Sequence, residues 1–101
     1  MSGIELAAAG EGRLRLSGDL DFASVAEVWP RLEARLTRGG RLTLSLDGVS
    51  RSNSAGLVLL VEALDVARQR GCRLALADLP AGLLDLARMS RCDALLGDAA
   101  A

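Results

Sequence analysis

Strict alternation and three-and-four spacing take turns along this chain. Arg13-Leu14-Arg15-Leu16-Ser17 alternates apolar and polar, the period of a strand buried on one face. Residues 41–46 alternate likewise, with Leu42, Leu44 and Leu46 on one side and Thr43 and Ser45 on the other. So do residues 72–77, with Leu74 and Leu76 inward. Residues 4–8 suit a short first strand, and Gly10-Glu11-Gly12 a turn that joins it to the next as a hairpin. Phe22, Val25, Trp29, Leu32 and Leu36 mark one face of a helix. Asp21, or a capping box of Ser24 with Glu27, can start it, and Gly39-Gly40 ends it. Pro30 conflicts with that pattern, because it removes a hydrogen bond and predicts a kink or a later true start. A second helix over residues 55–70 places Leu57, Leu60, Val61, Leu64 and Ala67 inward and Glu62, Asp65, Arg68 and Gln69 outward, with Gly71 as its stop. Pro80 opens a last helix with Leu83, Leu86 and Ala87 inward. Residues 94–96 add a short strand or pack loosely, and 97–101 are expected to fray.

The order of elements is therefore β-β-α-β-α-β-α. Strands joined through helices must lie parallel, with right-handed crossovers. Alternating strands leave one sheet face for helices and the other polar or lined by small side chains. The fold class predicted is α/β: a small mixed β-sheet with helices packed mainly on one face. At 101 residues the chain is expected to form a single domain.

Composition narrows the chemistry. One Phe, one Trp and no Tyr leave a core of Leu, Val and Ala and no platform for stacking bases. Net charge is −1 with both signs interspersed, so no nucleic acid partner is predicted. The opening MSGIELAAAG has no basic region ahead of an apolar stretch, and the longest uninterrupted apolar run, residues 57–61, is far too short to span a bilayer. A soluble, cytoplasmic protein with no direct membrane insertion is expected. Cys72 and Cys92 show no metal-type spacing and read as buried, reduced thiols. Histidine is absent, which removes the commonest general base and metal ligand together. The only close acidic pair, Asp19 and Asp21, suits a turn and a cap. No catalytic residue, metal or cofactor is predicted.

One polar cluster remains. Arg51-Ser52-Asn53-Ser54 stands just before the second helix, followed by the small residues Ala55 and Gly56. The first amide groups of a helix lack internal partners, and Asn53 or Ser54 can satisfy one of them. The same place carries the positive end of the helix dipole and little side-chain bulk. It could equally hold a phosphate on Ser54 or receive the backbone or acidic side chain of a partner. No G-x-x-x-x-G-K-[ST] loop is present. The residues alone leave simple capping and recognition both open.

The segment "LDGVSRSNSAGL", followed by an amphipathic helix, Gly and a strand, resembles the STAS domain family of sulfate transporters and anti-sigma-factor antagonists. The family pattern, Asp-[Ser/Thr]-[Ser/Thr/Gly]-Gly-Leu, reads here Asn53-Ser54-Ala55-Gly56-Leu57. "LSGDLDFAS" is similar to the family's L-x-G-[ED]-[LI]-D segment ahead of the first helix. "LSGDLD", Trp29 and "VSRSNSAGLVLLVEALDVARQRG" resemble most the MlaB-like subunits of Mla phospholipid-trafficking ABC transporters.

That resemblance implies a non-enzymatic interaction module, peripheral to the inner membrane through its partner. It would bind and support the transporter's ATPase subunit through Ser52, Asn53, Ser54, Ala55 and Gly56, with Asp21 and Trp29. Trp29 has a core reading too, from its place on the helix stripe. The alternative member is an anti-sigma-factor antagonist, in which a partner kinase, the anti-sigma factor, phosphorylates the position of Ser54. Asn53 stands where the family motif has Asp, so the carboxylate beside the acceptor in kinase-linked members is missing.

Overall fold

The computed structural model describes residues 3–100. Its elements are β1 (Glu5–Ala8), β2 (Arg13–Leu20), α1 (Phe22–Glu33), β3 (Arg41–Ser52), α2 (Ser54–Gln69), β4 (Arg73–Ala77), α3 (Ala81–Met89) and α4 (Asp93–Ala99). The sheet runs β1-β2-β3-β4, with β1 antiparallel to β2 and the other pairs parallel. Strand order rises steadily, so right-handed crossovers carry α1 and α2 over the same sheet face. Leu14, Leu16, Leu20, Leu42, Leu44, Leu46, Leu74 and Leu76 are buried on that face. Val28 and Leu32 from α1, Leu59, Leu60 and Ala63 from α2, Leu83 and Ala87 from α3, and Leu96 from α4 complete the core. It is an aliphatic core, as the scarcity of aromatics requires.

The opposite face of the sheet collects charge. Arg13, Arg15, Arg41 and Arg73 are exposed and alternate with the buried leucines of their strands. The register sets Arg41 beside Arg73. Arg15 donates through Nε to the Asp47 carboxylate at 2.6 Å. Charges interspersed along the chain are thus partly sorted in space. Ser45 is buried on this side, and its hydroxyl donates to Asp78 at 2.7 Å.

Several expectations are corrected. The buried face of α1 is Ser24, Val28 and Leu32, not the stripe beginning at Phe22. Phe22 is exposed, and Val25 and Trp29 are only partly buried against the core. The reason is the start of the helix: Asp21 caps it, which makes Phe22 its first residue, at the rim of the sheet. Pro30 lies inside α1. It and Ala26, whose carbonyl loses the bond, are both on the exposed side, where water can take that carbonyl. The buried face of α2 is wider than a single stripe, because α2 packs against both α1 and α3. Ala55, Gly56, Leu57, Leu59, Leu60, Ala63, Val66 and Ala67 are buried, while Val61 and Leu64 are half-buried.

β3 continues to Ser52, well beyond residue 46. Register shifts against β2, between Arg15 and Ser17 and again between Gly18 and Asp19, absorb extra residues of β3 and disguise its alternation. Residues 94–96 are helical, within α4, not a strand. Of the tail expected to fray, residues 97–99 belong to α4 and Ala100 bridges Leu76 in parallel; Ala101 lies outside the described residues. Cys72 is buried as expected, but Cys92 is half-buried; both are free thiols.

Candidate functional site

β2 and β3 are parallel neighbours, and each feeds a helix from its C-terminal end. Leu20 pairs with Ser52, and the Asn53 amide donates to the Leu20 carbonyl at 3.1 Å. Asp21 and Asn53 follow as the caps, and Phe22 and Ser54 as the first helical residues. Two helix starts therefore stand side by side at one end of the sheet, built in the same way from adjacent strand–helix units.

The cap chemistry decides which hydroxyl is available. Asn53 Oδ1 accepts from the Ala55 amide at 2.8 Å, and the Asn53 carbonyl accepts from Gly56 at 3.0 Å. Ser52 donates its hydroxyl to the Asn53 carbonyl at 3.0 Å. Ser54 is left exposed, and its hydroxyl makes no hydrogen bond to another described residue. The capping role open to Asn53 or Ser54 thus falls to Asn53 alone. No acidic residue lies in the first turn of α2, so the positive end of its dipole is not offset from within that turn.

In the neighbouring helix the box joins Asp21 to Ser24, not Ser24 to Glu27. Asp21 accepts from the Ser24 amide at 2.8 Å, while the Ser24 hydroxyl accepts from the Asp21 amide at 2.9 Å. The buried Ser24 hydroxyl also donates to the Asp19 carbonyl at 2.7 Å. Asp21 is thereby committed to structure on one side and exposed on the other. Asp19 lies within β2, opposite Arg51, and not in a loop.

The small residues serve the fold. Ala55 and Gly56 are buried, so they do not open the backbone to an incoming chain. A Cβ on Gly56 would run into the Ser52 side-chain oxygen and stand 3.1 Å from Leu20 Cδ1. Gly56 is required because α2 must settle directly on the ends of β2 and β3. Trp29 sits eight positions past Asp21 along α1, about 12 Å of helix rise. It is half-buried against the core, away from the helix starts.

Phe22, expected on a buried stripe, and Val58, which nothing in the pattern singled out, both stand at this end. Phe22 is 67% exposed and Val58 is 58% exposed. Val58 lies one turn after Ser54 on the same face of α2. A competing signal for Phe22 was present in the sequence: Ser24, Val28, Leu32 and Leu36 recur every four residues and leave Phe22 off the buried line. No group of three or more metal-ligating side chains occurs among the described residues, and no helix there is long and apolar enough to cross a membrane.

Comparison with known proteins gives this arrangement a family. Two solved structures share the fold. One is the anti-sigma factor antagonist SpoIIAA in its unphosphorylated form, with a TM-score of 0.65 and 13% identity over 85% of this chain and 82% of that one. The other is an anti-sigma-factor antagonist (STAS) domain protein from Planctomyces limnophilus, with a TM-score of 0.67 and 13% identity over 91% of this chain and 85% of that one. At such identity the likeness carries the fold alone. No curated protein matches the sequence. A family model described as "Mlab, STAS domain" matches residues 4–97. With nearly the whole chain matched, and the strand–cap–helix start of that family in place, the protein belongs to the STAS domain family and is similar to its Mlab members.

Proposed function

We propose that this chain is a non-enzymatic docking subunit that binds and supports the ATPase of an Mla-type ABC transporter moving phospholipids between bacterial membranes. It would work in the cytoplasm, held at the inner membrane by that partner. The observation that carries the reading is the Ser54 hydroxyl. It stands exposed at the first position of α2, relieved of capping by Asn53 and without a hydrogen-bond partner among the described residues. The match to Mlab-type STAS domains supports the choice of partner. A hydroxyl there can exchange a hydrogen bond across an interface, and the α2 dipole favours an electronegative atom opposite it.

Replacing Ser54 by Arg should remove co-purification with the ATPase subunit and leave the circular dichroism spectrum unchanged. A bulky charge would be desolvated without a counter-charge at the contact, which costs several-fold more than a lost hydrogen bond. Undiminished co-purification of Ser54→Arg would count against the reading.

A second reading is favoured by the same exposure and by the fold shared with SpoIIAA. In it the chain is an anti-sigma-factor antagonist, and a kinase phosphorylates Ser54. The new group, about −1.5 to −2 charges, would lie at a helix start and alter partner affinity. Incubation with an anti-sigma kinase and ATP, read by intact mass, separates the two: an added phosphate favours the switch, and none removes it.

A further inference from the structure

We propose that the open face of the sheet, at the end where β3 and β4 begin, docks on an anionic lipid surface through Arg13, Arg41 and Arg73. Ser54 follows the opposite end of β3, so the inference stands apart from the docking reading above.

Strand register builds the cluster. Arg13 pairs with Thr43 across β2 and β3, and Arg41 with Arg73 across β3 and β4. Arg41 and Thr43 are two apart on one strand, so their side chains share a face. Neighbouring strands lie about 4.8 Å apart and a two-residue step covers about 6.6 Å, which sets the three arginines within roughly 10 by 7 Å of sheet. Thr43 and its partner Ala75 are short, so the arginines overtop the residues between them. All three are exposed, and none of their guanidinium groups makes a hydrogen bond or ion pair with a described residue. Arg15, next along β2, is held by Asp47. Glu5, paired with Ser17, and Asp19, paired with Arg51, lie toward the other end of the sheet. The nearer acids are Glu11, in the turn before β2, and Asp98 of α4, which lines a groove with Arg73; neither forms an ion pair with the cluster.

This arrangement does not serve the fold. Like charges set side by side on adjacent strands destabilise a sheet, and Arg41 beside Arg73 is such a pair. The occupant that relieves them is anionic, by charge complementarity. It is broad, because the charges are spread over three strands and not gathered round a pocket. It needs no apolar recess, because the four large exposed hydrophobic side chains, Phe22, Val58, Met89 and Leu95, all belong to helices. A protein partner is usually held by an aromatic or apolar anchor, which this face lacks. Nucleic acid is usually held by a basic domain, whereas this chain has a net charge of −1. A layer of lipid phosphates requires only positive charge near its surface, and the guanidinium fork matches a phosphate group. Its attraction fades over about 8 Å at physiological ionic strength, so the carboxylates at the far end of the sheet weigh little.

Sedimentation of the full chain with vesicles of phosphatidylglycerol, or of phosphatidylcholine, at low salt tests the inference. The parent should sediment with the first and stay in solution with the second, and added salt should release it. The triple variant Arg13→Gln, Arg41→Gln, Arg73→Gln should bind phosphatidylglycerol at least tenfold more weakly. A second triple variant, Arg35→Gln, Arg68→Gln, Arg88→Gln, removes the same charge from exposed positions on the helical side and should bind as the parent does. Circular dichroism checks that both are folded. Arg41→Gln alone should weaken binding several-fold with an unfolding midpoint no lower than the parent's, since it also removes the like-charge neighbour. A parent that stays in solution with phosphatidylglycerol, or two triple variants that bind alike, would overturn the inference and leave the docking reading standing. A parent that ignores the vesicles but retains duplex DNA or polyglutamate through the same three arginines would assign the face to another polyanion and overturn it equally.

Discussion

Asn53 and Ser54 are adjacent, both polar, and chemically able to do the same work, yet the structure divides their roles. The side-chain oxygen of Asn53 takes the Ala55 amide, and the hydroxyl of Ser54 is left over. The substitutions Asn53→Ala and Ser54→Ala should therefore separate. Loss of the cap should cost about 1 kcal/mol in urea unfolding. Ser54→Ala should stay within about 0.5 kcal/mol, the range for surface positions without a structural partner. The reverse ranking would mean that Ser54 is the cap and has no hydroxyl to spare. Which of the two residues caps was not legible in the sequence, since both are good N-caps. The position of the helix start, one residue earlier than the pattern suggested, made the choice.

Two of the helices, α2 and α3, end by one device with different residues. After α2, Gly71 has φ +64 and its amide donates to Arg68, while Cys72 donates back to Ala67 at 2.8 Å. This left-handed turn closes the helix as the sequence predicted, because glycine adopts it without strain. After α3 the same pair of bonds recurs, from Arg91 to Arg88 and from Cys92 to Ala87 at 2.7 Å, but Arg91 has φ +58. A side chain in that conformation costs about 1 kcal/mol. Arg91→Gly should accordingly raise stability by roughly 0.5–1 kcal/mol, read as a higher urea midpoint with an unchanged slope. A lower midpoint would show that the exposed Arg91 side chain contributes more than its backbone strain removes. Nothing in the sequence marked Arg91 as left-handed, because an arginine gives no such signal. At the other end of α2, Gly56 carried a readable signal whose meaning was mistaken. Its smallness lets the helix sit on Leu20 and Ser52, and does not admit a visitor.

Across the whole molecule the sheet sorts residues that the chain mixes. Helices cover one face; the other presents Arg13, Arg15, Arg41 and Arg73. Asp47 sits among them, and the hydrogen bond from Arg15, with the Arg13 charge adding to it, holds its carboxyl below the ordinary aspartate range. A depressed carboxyl contributes stability above its unfolded pKa and loses it as pH falls through the folded value. The loss belongs to the acid limb, below the ordinary range for aspartate. It should be slight, because both side chains of the pair are about half exposed and the pair is screened. An NMR titration should find the Asp47 midpoint low and Arg15→Ala should move it back up; an unmoved midpoint would break the assignment to Arg15. The covered face matters more to the site. It brings the ends of β2 and β3 together, and with them Asp21, Phe22, Asn53 and Ser54, which stand far apart in the chain.

Alternation and three-and-four spacing by themselves determined the order of strands and helices up to α3, the mixed sheet, the aliphatic core and the polar helix start at Asn53 and Ser54. These are local properties, set by which side chains can be buried within a few residues of one another. Tertiary packing decided the rest. It chose the buried line of α1 and so exposed Phe22, lengthened β3 through shifts against its neighbour, made α4 of residues read as a strand, and turned Ala55 and Gly56 inward. Each depends on a surface contributed by another element, and no periodicity along one segment records what its neighbour will cover.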